Sequence, residues 1–296
     1  MDAAQLAAFV AVVEEKSFSI AAERLYLTQP AISKRIFALE SELKTRLFDR
    51  LGRHIVLTEA GRVLLPHAQK LLATFDDSRR ALANLSGDIS GTLCIAISHH
   101  VGLYRLPPML RVFVEHYPQV RLDLRFMASE AAHTVVNEGD VELAIITLPP
   151  KHEKSLISQA LWTDYLRVVV APKHPLAARK KITPFILVEY PAIFPETDTF
   201  TRMMIDDAFA PLELKPHVTF STNYLETIKI MVSVGLGWSL LPTTMIDETL
   251  ASPMLTGLHF ERSLGVLRHS GRTLSNAAQA FLYLLNSYRE TKSSLP

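Results

Sequence analysis

The chain has 296 residues, 48% of them hydrophobic and 21% charged, with a formal net charge of +1. That length exceeds what one hydrophobic core usually supports, so two or three domains are expected. The charge balance gives no global sign of a polyanion partner, one cysteine (Cys94) excludes an intrachain disulfide framework, and no apolar run reaches the roughly 18 residues of a spanning helix. The nearest run, Ile230 to Pro242, is broken by Gly235 and Gly237, and the opening "MDAAQLAAFV" carries an acid where a signal peptide carries bases. A cytoplasmic protein is expected, with any nucleic-acid role resting on local placement of charge.

Residues 2–15 place Leu6, Phe9, Val10 and Val13 on one helical stripe. After "KSFS", Ser19 is the expected N-cap of a second helix, "IAAERL", whose Ala21 and Ala22 let another helix cross closely. Thr28 is placed to cap a third, with Pro30 in its first turn, where a missing N–H does no harm. Its buried stripe is expected at Ile32, Ile36, Leu39 and Leu43, leaving Gln29, Pro30, Ser33, Lys34 and Phe37 on other faces. Two tightly joined helices, the second polar in its opening turns, match the helix-turn-helix, which lays those turns in the DNA major groove. Gln bonds adenine bidentately, Ser bonds base edges or phosphate, and Lys suits guanine or phosphate. "LFDRLGRHIVLTEAG" then reads as a β-hairpin wing turning at Leu51-Gly52, with Arg50 and Arg53 placed to touch phosphates. Residues 33–53 carry Lys34, Arg35, Lys44, Arg46, Arg50 and Arg53 against Glu40, Glu42 and Asp49, a modest basic footprint. On periodicity alone, a helix pair that only packs remains open.

"SFSIAAERLYLTQPAISKRIFALESEL", "RLFDR" and "LTEAG" closely resemble the N-terminal domain of LysR-type transcriptional regulators over about residues 4–65. Lys16 and Lys44 stand where that family usually has glycine. The resemblance implies groove contacts by Gln29, Pro30, Ser33 and Lys34 and backbone contacts by Thr28 and Arg53. It also implies double-stranded promoter DNA, a small-molecule effector and RNA polymerase as partners of a homodimer or homotetramer, with no membrane and no cofactor.

From Ala60 to Leu85, the positions Leu64, Ala68, Leu71, Phe75, Ser78, Leu82 and Leu85 repeat every seven residues. So narrow a stripe wants a helix alongside, either from its own domain or, as the resemblance implies, from a second subunit. The glycines of "SGDISG" mark the domain boundary.

Beyond Gly91 the pattern changes. "TLCIAIS", "VRLDLRFM" and "VELAIIT" read as strands; "LYRLPPMLRVFVEHY" and "EAAHTVVNEG" read as helices between them. A second set follows: "YLRVVVA", "AIFP", a helix over 200–209, "HVTFST", a helix over 224–234, and "WSLLP". "SLGVLRH" and the helix "LSNAAQAFLYLLNSY" return to the first half. Alternation of strands and helices implies right-handed crossovers and a mostly parallel sheet. The layout, two lobes joined by crossing segments near 161–165 and 263–268, resembles the periplasmic-binding-protein-like fold that LysR-type regulators carry as their effector domain. The expected architecture is α/β overall: a winged helix-turn-helix (1–58), a linker and dimerisation helix (59–88), and a two-lobed effector-binding domain (91–296). Lobe I would take about 91–162 and 267–296, lobe II about 163–266.

Ligands of such sheets sit where strands end and helices begin. The corners offer Ser98, His99, His100, Ser129, Thr197, Thr199, Ser221, Thr222 and Asn223, and Thr147 closes "LAIIT". Helix N-termini with few Lys or Arg suit a small carboxylate; for each residue singly, ordinary helix capping is the competing reading. His99 and His100 lack ligands at metal spacing, so no metal is expected. Cys94, inside an apolar strand with no resolving cysteine, reads as a buried small residue. No phosphate loop, nucleophile elbow or zinc signature supports catalysis. The expected function is a sequence-specific DNA-binding regulator, not an enzyme, modulated by a carboxylate effector between the lobes. The alternative is a solute-binding or enzymatic α/β protein with an N-terminal helical oligomerisation module.

Overall fold

The structure, a computed structural model, describes residues 1–51, 54–151 and 153–293. It divides into two compact units: Met1–Asp88 together with Glu138–Asp140 and Arg272–Ser275, and the rest of the chain from Ile89 onward.

The first unit contains α1 (Ala3–Glu15), α2 (Phe18–Arg24), α3 (Gln29–Leu43), β1 (Phe48–Leu51), β2 (His54–Leu57) and α4 (Glu59–Asn84). Asp2 opens α1 with a reciprocal capping box to Gln5, a local pattern that satisfies two otherwise unpaired donors. Ser17, not Ser19, caps α2, accepting from the amide of Ile20 at 3.3 Å. Ser17 alone has the extended backbone a cap requires; Ser19 already lies inside the helix. Leu6, Phe9, Val10, Ala21, Ala22, Ile32, Ile36 and Leu39 close one core with Leu47, Phe48 and Ala68. Leu43, expected on the buried stripe, is 37% exposed, because the chain leaves the helix at the next residue. Both lysines at the family's glycine positions, Lys16 and Lys44, adopt the left-handed conformation at φ 50° and 53°, a strain of about 1 kcal/mol or more for a non-glycine residue.

The expected wing forms: β1 pairs antiparallel with β2, Leu51 opposite His54. Glu40 secures its entry by accepting from the amides of Leu47 (2.7 Å) and Phe48 (3.4 Å). "LTEAG" also acquires a physical reason. Thr58 caps α4 through the amide of Gly61 at 3.0 Å and donates to Arg46 O at 2.7 Å. A Cβ on Gly61 would fall 2.3 Å from Leu47 O, so only glycine permits that approach. Along α4, Ala68 is buried in the head's core with Leu64 and Leu72 against it, whereas Leu71, Phe75, Leu82 and Leu85 are exposed. Pro66 lies within this helix, with no N–H to offer the preceding turn.

The second unit contains β3 (Gly91–Ser98), α5 (His99–Tyr104), α6 (Pro107–His116), β4 (Val120–Met127), α7 (Ser129–Glu138), β5 (Leu143–Thr147) and β6 (Leu156–Val169). There follow β7 (Lys181–Ile182), α8 (Pro184–Leu187), β8 (Ala192–Phe194), α9 (Phe200–Phe209), β9 (Val218–Ser221), α10 (Leu225–Ser233), β10 (Ser239–Pro242), β11 (Met254–Leu255), β12 (Phe260–His269) and α11 (Asn276–Ser293). The single helix expected over 103–117 is two, because Pro107 and Pro108 suit only a helix's first turn.

The main sheet has the order β10-β6-β12-β5-β3-β4. It is mixed rather than mostly parallel: β3 runs parallel to β4 and β5, while β12 pairs antiparallel with both β5 and β6, and β10 with β6. The reason is that both crossing segments are long strands of opposite direction, and β6 starts nine residues before the expected "YLRVVVA". Their register shifts between Leu264 and Gly265, where a Cβ on Gly265 would fall 2.1 Å from Gln159 O. In the first lobe, Ala96, Ala132, Val136, Ala144, Ile146 and Leu267 form a core, and Phe281 of α11 meets Phe113 of α6 edge-on at 4.9 Å. The second lobe packs around Trp238, whose indole donates to Tyr190 O at 3.1 Å and meets Phe194 edge-on at 5.0 Å.

Candidate functional site

On α3 the buried side is Ile32, Ile36 and Leu39; Gln29, Pro30 and Lys34 are exposed and Ser33 is half-buried. Thr28 sits at the N-cap with extended backbone, but its hydroxyl makes no capping bond and stays exposed. Gln29 Nε2 donates to Ser33 Oγ at 3.0 Å, an i,i+4 pair that holds both side chains on the solvent face. Arg50 occupies β1 opposite Ile55, though its side chain, like the whole of Arg53, lies outside the described residues. Sequence reasoning passed over Tyr26, which is 96% exposed at positive φ in the turn before α3.

In the second unit, chain segments from both lobes converge on a cavity of about 60 Å³. It is lined by Ser98, His99 and His100 after β3, Ser129 and Glu130 after β4, and Thr147 at the end of β5. From the facing lobe come Pro195, Thr199 and Thr201 around the start of α9, and Asn223 and Glu226 around the start of α10. Arg262 of β12 completes it. Thr197 and Thr222 are not in the lining: Thr197 is exposed in the preceding turn, and Thr222 Oγ1 accepts from the Tyr224 amide at 3.4 Å.

Several hydroxyls and amides here serve the chain itself. Ser129 Oγ accepts from the Thr147 amide (3.2 Å), Asn223 Oδ1 from the Glu196 amide (3.0 Å), and Thr199 caps α9 through the Arg202 amide (3.2 Å). Ser98 Oγ, His100 Nδ1 and Glu226 Oε1 are different: they are buried and have no hydrogen-bond partner. Native proteins rarely leave buried polar atoms so. A roomier concavity, about 510 Å³ beside Tyr165, Leu240, Met254 and Phe260, holds none of these unpartnered atoms.

Behind the cavity lies an ionic cluster that sequence reasoning missed. Asp164 on β6 is 1% exposed and sits opposite Arg262 in the β6–β12 register. Arg262 donates to Asp164 Oδ2 through Nε (3.0 Å) and Nη2 (2.9 Å), and through Nη1 to Thr201 Oγ1 (2.8 Å). Arg105 Nη2 reaches Asp164 Oδ1 at 3.3 Å, and His100 Nε2 stands 3.4 Å from Oδ2. Burial works against the Asp164 charge, but His100 and the Arg262 guanidinium prevail and hold its carboxyl at about 2. For Arg262, burial lowers the pKa and Asp164 opposes that fall. A charge inside each crossing strand was the available signal; reading it as a pair needed the register.

Cys94, expected to be buried, is half-buried and donates to Asp123 Oδ2 at 3.2 Å. Burial and that carboxylate push the thiol up to about 11, so it stays protonated and a poor nucleophile at neutral pH. Among the described residues no group of three His, Cys, Asp or Glu could hold a metal ion, and no helix is long and apolar enough to cross a membrane.

A winged helix-turn-helix followed in the chain by a two-lobed α/β unit with a polar cleft defines a DNA-binding regulator that carries its own ligand domain. Residues 3–62 match the model of the bacterial regulatory helix-turn-helix protein, lysR family, and residues 86–289 match the LysR substrate binding domain. The chain belongs to the LysR family and is a transcriptional regulator, not an enzyme. It is 32% identical to a probable RuBisCO transcriptional regulator of Synechocystis over 94% of this chain and 84% of that one. Its fold resembles full-length OxyR from Pseudomonas aeruginosa (TM-score 0.72, 23% identity, 98% and 95% of the two chains). It also resembles full-length CbnR complexed with its target DNA (TM-score 0.64, 21% identity, 97% and 99%).

Proposed function

We propose that the first turns of α3 enter the major groove of promoter DNA, with Gln29, Pro30, Ser33 and Lys34 making the groove contacts and Thr28, Arg50 and Arg53 fixing its position against the backbone. The exposed seam of α4, Leu71, Phe75, Leu82 and Leu85, joins two subunits, so that two heads read a paired site. Leu64 and Ala68, from the same heptad stripe, brace α4 against its own head instead. A small carboxylate effector occupies the cleft and shifts the lobes, changing the promoter contacts through its differential affinity for two arrangements.

The observation that carries the effector reading is the trio of buried, unpartnered polar atoms, Ser98 Oγ, His100 Nδ1 and Glu226 Oε1, where the starts of α9 and α10 face the first lobe. The amide ends of α7, α9 and α10 favour an anionic group there. Random-site selection with the full chain tests the DNA half: an inverted repeat of one half-site is expected, and sequence-blind, salt-sensitive binding would contradict it. A thermal-shift screen against carboxylic metabolites tests the other half, since a true effector stabilises the folded form by mass action.

A further inference from the structure

Glu130 stands in the first turn of α7, in the first lobe, and its carboxylate crosses the cleft to the second. There Oε1 accepts from the amide of Phe200, the first residue of α9, at 2.7 Å. The first amides of a helix lack partners within it and carry the positive end of its dipole, which makes them a seat for a carboxylate. Thr199 satisfies the Arg202 amide of α9, but the Phe200 amide is satisfied from the opposite lobe. That is the contact an anionic ligand would make. With Glu130 in it, the remaining cavity is about 60 Å³, room for one or two waters and short of the roughly 300 Å³ of a small-molecule site. Yet the same cavity is bordered by Ser98 and His100, 8% and 6% exposed, whose Oγ and Nδ1 have no partner.

We propose that Glu130 is a tethered occupant of the effector site: its carboxylate holds the N-terminus of α9 when no effector is bound, and an effector enters by presenting a carboxylate of its own to the Phe200 amide. This rests on reading the cleft as the effector site. Exchanging one carboxylate for another at that amide is close to neutral, so selectivity comes from what Glu130 leaves unmet. The ligand therefore carries, besides its carboxylate, a polar substituent that reaches Ser98 Oγ and His100 Nδ1. A second negative charge is disfavoured, because Glu226 already lines the cavity.

Amide hydrogen exchange on the full-length chain tests this without knowing the effector. Glu130→Ala should speed exchange at the start of α9 about tenfold or more, as loss of one charge-assisted hydrogen bond implies, and leave α6 and α11 unchanged. Sodium formate, the probe for the vacated seat, should then slow exchange at Phe200, while sodium chloride at equal ionic strength should not. Glu130→Gln keeps the shape and an acceptor oxygen but drops the charge; its rate should fall between those of wild type and Ala, and it carries the test if the Ala variant shows exchange throughout α6 and α11. Unchanged exchange at Phe200 in both variants, or formate acting no differently from chloride, would overturn the proposal. DNA binding plays no part in this readout, so failure of the tethered occupant is distinguishable from failure of the regulator reading.

Discussion

On α3, Gln29 and Ser33 face solvent and bond each other at 3.0 Å; in the cleft, Ser98 Oγ and His100 Nδ1 are buried and bond nothing. Both regions keep polar side chains available for a partner, yet bulk water serves the first set while the second is buried. An exposed polar group waits at no free-energy cost, whereas a buried unpaired one costs about 1–3 kcal/mol. The exposed polar side chains of α3 can therefore change without touching stability, while those of the cleft cannot. Its floor, the Asp164–Arg262–Arg105 cluster, is also where the two crossing strands are tied together.

The sharpest test of that contrast is Asp164→Asn. It strips two guanidinium groups, one of them with a side chain only 7% exposed, of their counter-charge and should destabilise by about 3–5 kcal/mol in denaturant unfolding. A variant as stable as wild type would erase the distinction. Next is acid. Asp164 titrates at about 2 in the folded chain against 3.8 ordinarily, so its contribution is full above about pH 4 and lost as pH falls towards 2, about 2 kcal/mol in all. Unfolding followed from pH 5 downward should show that loss in wild type and not in Asp164→Asn. On the head, Gln29→Ala should cost about 1–3 kcal/mol at one base pair in binding titrations while stability stays within about 0.5 kcal/mol; Arg53→Ala should weaken all sequences alike. The smallest effect is expected at Ser98→Ala, which removes a hydroxyl that bonds nothing. Stability should rise by about 1 kcal/mol, the low end of that penalty less the small void left behind, and the thermal shift given by the effector should shrink.

The head was readable in the sequence because its information is local. A stripe spaced by threes and fours yields Leu6, Phe9, Val10, Ile32, Ile36 and Leu39, all buried. Where the local reading failed, a backbone requirement decided: Ser17 rather than Ser19 has cap geometry, and Pro107-Pro108 starts a helix instead of continuing one. The ligand domain was readable as a sequence of elements but not as a sheet. Strand direction leaves no trace in hydrophobic period, so the antiparallel passage of β6 and β12 was missed, along with the pairing of Asp164 and Arg262 that follows from it. Of the proposed corner residues, Ser98, His99, His100, Ser129, Thr147, Thr199 and Asn223 line the cavity and Thr197 and Thr222 do not. Which of them already serve the chain's own amides is a matter of distances that no motif encodes.

The long helix α4 is a shaft with a flaw in a chosen place. Pro66 removes one rung of its ladder, the bond to the Arg62 carbonyl one turn earlier, in the stretch from Ala60 to Ala68 where the helix packs into the head's core. The shaft is held at a second place beyond that flaw: Arg272 pairs with Asp77 at 3.0 Å, Arg80 donates to Thr273 O at 3.0 Å and Asn84 to Leu274 O at 2.9 Å, so its far half is anchored by the segment Arg272–Ser275 of the same compact unit.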